Sequence, residues 1–119
     1  MDWVWQLEYG GVVYNYVVIE STDAPYDDSQ WHHWVITYDG SKTQAGVKIY
    51  CDRVLRTTSM SGMWPTTFNW TDSVYQQISG NSMIFCSFDE VVIYDDYVLT
   101  QGDVISRYND GVAHRSMFK

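Results

Sequence analysis

The stretch Trp31-His32-His33-Trp34-Val35-Ile36-Thr37-Tyr38-Asp39-Gly40 is the part of the chain that decides the fold. Side chains along a strand alternate between faces, so Trp34, Ile36 and Tyr38 share one face and His33, Val35 and Thr37 the other. Aromatic and β-branched residues dominate, and Asp39-Gly40-Ser41 is a turn signal. A strand over Trp31 to Asp39 is predicted. Downstream, Val47 to Cys51 reads as a second strand with Val47, Ile49 and Cys51 on one face, and Asp52-Arg53 turns the chain into Val54-Leu55.

Working outward, Trp3 to Glu8 alternates weakly and stops at Gly10-Gly11, after which Val12 to Ile19 resumes, so a β-hairpin is expected. Ser21 to Ser29 is a polar loop. Residues 57–73 read as a long loop, a kind of segment that in a compact domain often carries function. Val74 to Ser79 reads as a strand ending at Gly80-Asn81. Ile84 to Tyr94 reads as a long final strand whose parity breaks: Ile84, Cys86 and Phe88 align, whereas Val91 and Ile93 fall on the opposite face. A β-bulge near Asp89-Glu90 accounts for the reversal.

One helix signal follows. Thr100 is an N-cap with Asp103 three residues on, Val104, Ile105 and Tyr108 form an apolar stripe, and Gly111 suits the C′ position. A helix of two to three turns is too short to stand alone and must dock on a sheet.

The wider composition agrees. Among 119 residues there are 14 Val, 7 Ile, 9 Thr and 20 aromatics against six Leu and Ala together, a strand-forming vocabulary. With no repeat, low-complexity tract or linker, residues 1–119 are expected to form a single domain. The net charge of −8 argues against nucleic acid, which needs clustered Lys and Arg. No apolar run approaches the roughly 18 residues of a membrane span, so no membrane insertion is expected. The N-terminus lacks the basic region and apolar core of a signal peptide. Cys51 and Cys86 both fall in predicted strands, and either a disulfide or two small buried hydrophobes fits them.

Three segments in order carry a family resemblance. They are the Trp31 to Gly40 strand and turn, the Val47 to Leu55 hairpin, and Phe88-Asp89-Glu90-Val91-Val92-Ile93-Tyr94 with Val98-Leu99-Thr100 and Ile105 to Gly111. Together they resemble the laminin G-like and pentraxin-like branch of the concanavalin A-like lectin/glucanase superfamily. The resemblance implies an all-β, two-sheet antiparallel jelly-roll sandwich with one short C-terminal helix. Family domains usually open with strands before the position of the Trp3 hairpin, and Arg53 stands where the turn usually has Gly. A sandwich short of strands exposes an edge or an apolar face. A homo-oligomer, or association with another chain, is therefore expected, with Trp3, Val4 and Trp5 as contacts; the alternative is a compact minimal sandwich.

The chemistry points to binding. Related glucanases carry Glu-x-Asp-x-x-Glu on one strand face, and this chain does not; Asp89 and Glu90 are adjacent and face apart in a regular strand. Neither a nucleophile elbow nor a phosphate loop is present, so no enzyme is expected. His32 and His33 are strand neighbours that point apart, which argues against zinc. No cofactor is expected, with a structural calcium at Asp89 as the one exception that the resemblance suggests.

Carbohydrate, a glycan or surface polysaccharide, is the ligand the family suggests. Aromatic faces stack on sugars while Asn and Asp bind hydroxyls. Trp64, Phe68, Asn69, Trp70 and Asp72 in the long loop offer this mixture, joined by Tyr26 and Asp28 if both loops open at one end. The competing reading has Trp64 and Trp70 plugging the core or an association face. The expected function is a non-catalytic carbohydrate-binding or adhesion module, extracellular or at a virion or cell surface. The alternatives are a structural or assembly protein and the remnant of a glycan-active enzyme.

Overall fold

In a computed structural model, the backbone is described over residues 2–9, 12–23, 28–64, 89–94 and 96–117, with side chains within those ranges described from residue 16 to residue 110. The strands are β1 (Asp2–Tyr9), β2 (Val12–Ser21), β3 (Trp34–Tyr38), β4 (Val47–Cys51), β5 (Val54–Leu55) and β6 (Thr58–Gly62), followed by the helix α1 (Gln101–Met117). They form two three-stranded sheets, in the order β1-β2-β6 and β3-β4-β5. Every pairing is antiparallel. Among the described residues the architecture is mostly β with one helix, in keeping with the sequence vocabulary.

Alternation along the strands builds the core. Val17 and Ile19 of β2 meet Val47 and Ile49 of β4 in one buried cluster, flanked by Trp34, Ile36, Tyr38 and Trp64. The core therefore lies between the two sheets, and the face predicted for Trp34, Ile36 and Tyr38 is the one that packs there. Each such buried aliphatic contributes about 1.5–3 kcal/mol, more than any single hydrogen bond at the sheet edges. A polar link supplements it: the Gln44 Nε2 donates to the Thr58 carbonyl at 2.7 Å, tying the 3₁₀ turn Gln44–Gly46 before β4 to β6.

The other face of the β3-β4-β5 sheet receives the helix. Tyr50 packs with Leu99 and Val104, and Val35 lies against them. Tyr108 adds a ring contact to His33 and takes the Arg53 guanidinium over its face at 5.3 Å. Ile105, which the stripe placed alongside them, is exposed instead. The predicted cap is present: the Thr100 Oγ1 accepts from the Asp103 amide at 3.2 Å, and the Asp103 carboxylate accepts from the Thr100 amide at 2.8 Å and its hydroxyl. Thr100→Ala is expected to cost about 1 kcal/mol, read as a lower urea midpoint without loss of cooperativity.

Several expectations need correction. The helix runs 17 residues, straight through Gly111, because a glycine inside a helix costs only about 1 kcal/mol and does not end it. The segment read as loop from residue 57 opens with β6, from Val17↔Gly62 to Ser21↔Thr58. Its small polar residues hid the strand, since the ladder there is made by the free edge of β2 and not by apolar alternation. The third strand begins at Trp34 and not Trp31: the His33 amide donates to the Asp52 Oδ1 at 3.0 Å, so a side chain takes the place of a ladder partner.

The parity break at Asp89-Glu90 falls where Glu90 adopts φ 51°, but residues 89–94 form no strand there. Alternation marks β preference, and a ladder also requires a partner edge; among the described residues this segment has none. A bulge does occur elsewhere: Leu7 pairs with Asn15 and Glu8 with Val13, leaving Tyr14 of β2 as the extra residue. The strand predicted over Val74 to Ser79 lies outside the described residues.

Candidate functional site

The polar centre of the described chain forms where the Trp31 segment meets the β4–β5 turn. Asp52 and Arg53 carry that two-residue turn with φ of 49° and 68°. This left-handed pair fits the twist of a hairpin, and Asp tolerates it better than most residues. Asp52 then uses both carboxylate oxygens. Oδ1 accepts from the His33 amide, and Oδ2 lies 2.6 Å from the His32 Nδ1. The Asp52 amide in turn donates to the His33 carbonyl at 2.9 Å.

His32 is held from both sides. Its Nε2 is 3.0 Å from Oδ1 and 3.1 Å from Oδ2 of Asp28, which also accepts from the Gln30 amide at 3.0 Å. Its side chain is only 16% exposed. Hydrogen bonds from Asp52 and then Asp28 raise the His32 pKa above its usual 6.5. The same imidazole, then the Gln30 amide, lowers that of Asp28. Burial pushes Asp52 upward, but His32 and the His33 amide together outweigh it and hold the carboxyl below its usual value.

Cys51 completes the cluster. It is fully buried, and its Sγ lies 3.8 Å from the Asp52 Oδ2. Burial first, then the Asp52 charge, pushes the thiol upward. Cys51 is a free cysteine; Cys86 lies outside the described residues. One donor atom each from His32, Cys51 and Asp52 lies within 4.8 Å of the other two.

Of the residues assigned to a sugar site, Trp64 is half-buried on the core, and Tyr38 stacks on its ring with centroids 5.5 Å apart and planes 11° from parallel. One aromatic face is thereby occupied within the protein. Asp28 belongs to the His32 cluster. Tyr26, Asn69, Trp70 and Asp72 lie outside the described residues. Asp89 is exposed and, among the described residues, joins no group of three metal-ligating side chains. A shallow depression on α1 is lined by Asp103, Ser106, Arg107 and Asp110 and has no aromatic wall to stack on a sugar.

His32, Cys51 and Asp52 were not read from the sequence as a group. The pair His32-His33 does point apart, as expected, with His33 turned toward Tyr108. The overlooked signal was Cys51-Asp52 at the mouth of a tight turn. Neighbours in a strand face apart, but a left-handed φ at the second of them brings both donors to one place.

These features define a mostly antiparallel β domain with a buried inter-sheet core and a docked helix. The chain belongs to the concanavalin A-like lectin/glucanase superfamily: its laminin G-like family model matches residues 2–105. No curated protein and no solved structure matches the chain.

Proposed function

We propose that this domain is a non-catalytic carbohydrate-binding or adhesion module, built as a two-sheet jelly roll. The observation that carries the reading is the lectin-superfamily match along residues 2–105. Two small antiparallel sheets sharing the Val17, Ile19, Val47 and Ile49 core support the jelly-roll part of it. The glycan contact is assigned to Trp70, Asn69 and Asp72, with Tyr26 and Asp28 from the other loop, while Trp64 supports the site from the core side. The reading requires no cofactor, and Asp89 is its calcium candidate. It puts the domain outside the cell or at a virion or cell surface.

Trp70→Ala tests it. Glycan-array binding is expected to fall at least tenfold, since a stacking aromatic dominates such contacts, while the far-ultraviolet circular dichroism stays unchanged. Binding that survives in a folded Trp70→Ala protein overturns the assignment.

A second reading, a structural or assembly protein, draws on a different observation. Val91, Val92 and Ile93 are 54%, 62% and 60% exposed in succession, and a contiguous apolar run at a surface marks a contact. Burial of this run against a second copy, or against another chain, is the expectation. A monomer mass for the full chain in sedimentation at micromolar concentration, with no partner bound, counts against it.

A further inference from the structure

We propose that His32, Cys51 and Asp52 bind a zinc-class transition-metal ion, with Asp28 as the outer carboxylate that orients His32. The inference does not rest on glycan binding, although Asp28 serves in both readings. The donor set selects the metal class. Imidazole, thiolate and carboxylate suit zinc, whereas calcium takes oxygens alone. A tetrahedral centre with bonds of about 2.0–2.3 Å spaces its donors about 3.3–3.6 Å apart. The three donors all lie within 4.8 Å of one another, with Asp52 Oδ2 at 2.6 Å from His32 Nδ1 and 3.8 Å from Cys51 Sγ. Seating an ion therefore takes side-chain shifts of about 1 Å, the His32–Asp52 pair opening to admit it.

Two further observations point to a built site. The nitrogen of His32 on the Asp52 side is Nδ1, while Nε2 is already engaged by both oxygens of Asp28 at 3.0 and 3.1 Å. A metal-bound histidine commonly has its other nitrogen donating to a carboxylate, which fixes the ring and its tautomer. The backbone is also committed. The Asp52 amide and the Asp52 Oδ1 both bind His33, so the turn carrying two donors is fastened to the segment carrying the third. On uptake, the Cys51 thiol proton and the His32 Nδ1 proton are released to solvent and replaced by metal bonds. Water fills the fourth position.

The test uses the full chain, reduced and stripped of metal, titrated with Co²⁺ and then with Zn²⁺. One equivalent of Co²⁺ should give a thiolate-to-cobalt charge-transfer band and the visible bands of a four-coordinate ion, both removed by Zn²⁺. The Cys51→Ala protein should lose the charge-transfer band and Cys86→Ala should keep it. Asp28→Asn should keep the band and bind about 10- to 100-fold more weakly. If Cys51→Ala does not fold, His32→Gln decides, and an unchanged affinity for Co²⁺ overturns the site. Absence of the band in the unmodified chain, or its persistence in Cys51→Ala, does the same.

Discussion

Gly62→Ala is expected to lose about 3–5 kcal/mol of stability. Gly62 ends β6 with φ 84°, a conformation that costs an L-residue about 1–2 kcal/mol. A methyl group there would run into the carbonyl oxygen of Tyr16, with the Tyr16 carbonyl carbon at 3.0 Å and the Cδ2 at 3.1 Å. The obstacle is backbone of β2, and that carbonyl is held in place by the Met63 amide at 2.9 Å. It cannot turn away without breaking the β2–β6 ladder.

Gly40 supplies the control. Its φ is 80°, yet nothing lies within 4 Å of an added Cβ, so Gly40→Ala reports the dihedral cost alone, about 1–2 kcal/mol. Gly46 is a second control. A methyl there would meet Ser41 Oγ and the Asp39 carboxylate, side-chain ends able to move. Urea unfolding of the three variants should place Gly62→Ala well below the others. Equal midpoints for Gly62→Ala and Gly40→Ala would show that β6 does not press on β2 at Tyr16.

The fold was legible wherever burial imposed a period. Trp34, Ile36 and Tyr38 on one face, and Val47 and Ile49 opposite them, predicted β3 and β4 because each side chain goes where the pattern sends it. The helix start was legible because a cap is local chemistry between Thr100 and Asp103. What escaped was set by partners distant in sequence. Thr58-Ser59-Met60-Ser61-Gly62 has no apolar rhythm, and only the neighbouring β2 makes it a strand. In the same way, Val91-Val92-Ile93 looks more like a strand than β6 does, yet belongs to no sheet among the described residues.

The candidate site shows the same division. Turn chemistry announced Asp52 as a turn residue, but its meeting with His32 depends on how the Trp31 segment crosses the β4–β5 turn, a contact across some twenty residues. Reasoning by strand alternation dismissed the histidines as ligands one pair at a time. That was sound for His32 with His33 and silent on His32 with Cys51 and Asp52. Trp64 carries the converse lesson. Its sequence neighbours made it a sugar platform, whereas Tyr38 takes one of its faces inside the protein.

Asp52→Ala is expected to cost about 2–4 kcal/mol in the presence of a chelator. The substitution strands the half-buried His33 amide, removes one of the two carboxylates flanking His32, and puts a β-carbon without a side-chain partner at φ 49°. Asp52→Asn separates these effects. It keeps an acceptor for the His33 amide and a residue that tolerates the left-handed turn, but loses the charge, so about 1–2 kcal/mol is expected.

The pH profile carries the decisive sign. His32 is raised above 6.5, so its contribution is complete below the unfolded value and disappears as pH climbs through the folded one. Asp28 and Asp52 are lowered below 3.8, so theirs is complete above the unfolded value and disappears as pH falls through the folded ones. The cluster therefore stabilises most between about pH 4 and 6.5. With a chelator present, the unmodified chain should be more stable relative to Asp52→Asn at about pH 5.5 than at about pH 9, measured by urea midpoints. A constant difference across that range would mean that His32 is not charged between its two carboxylates, and the link between the Trp31 segment and the β4–β5 turn would then rest on the hydrogen bonds between His33 and Asp52.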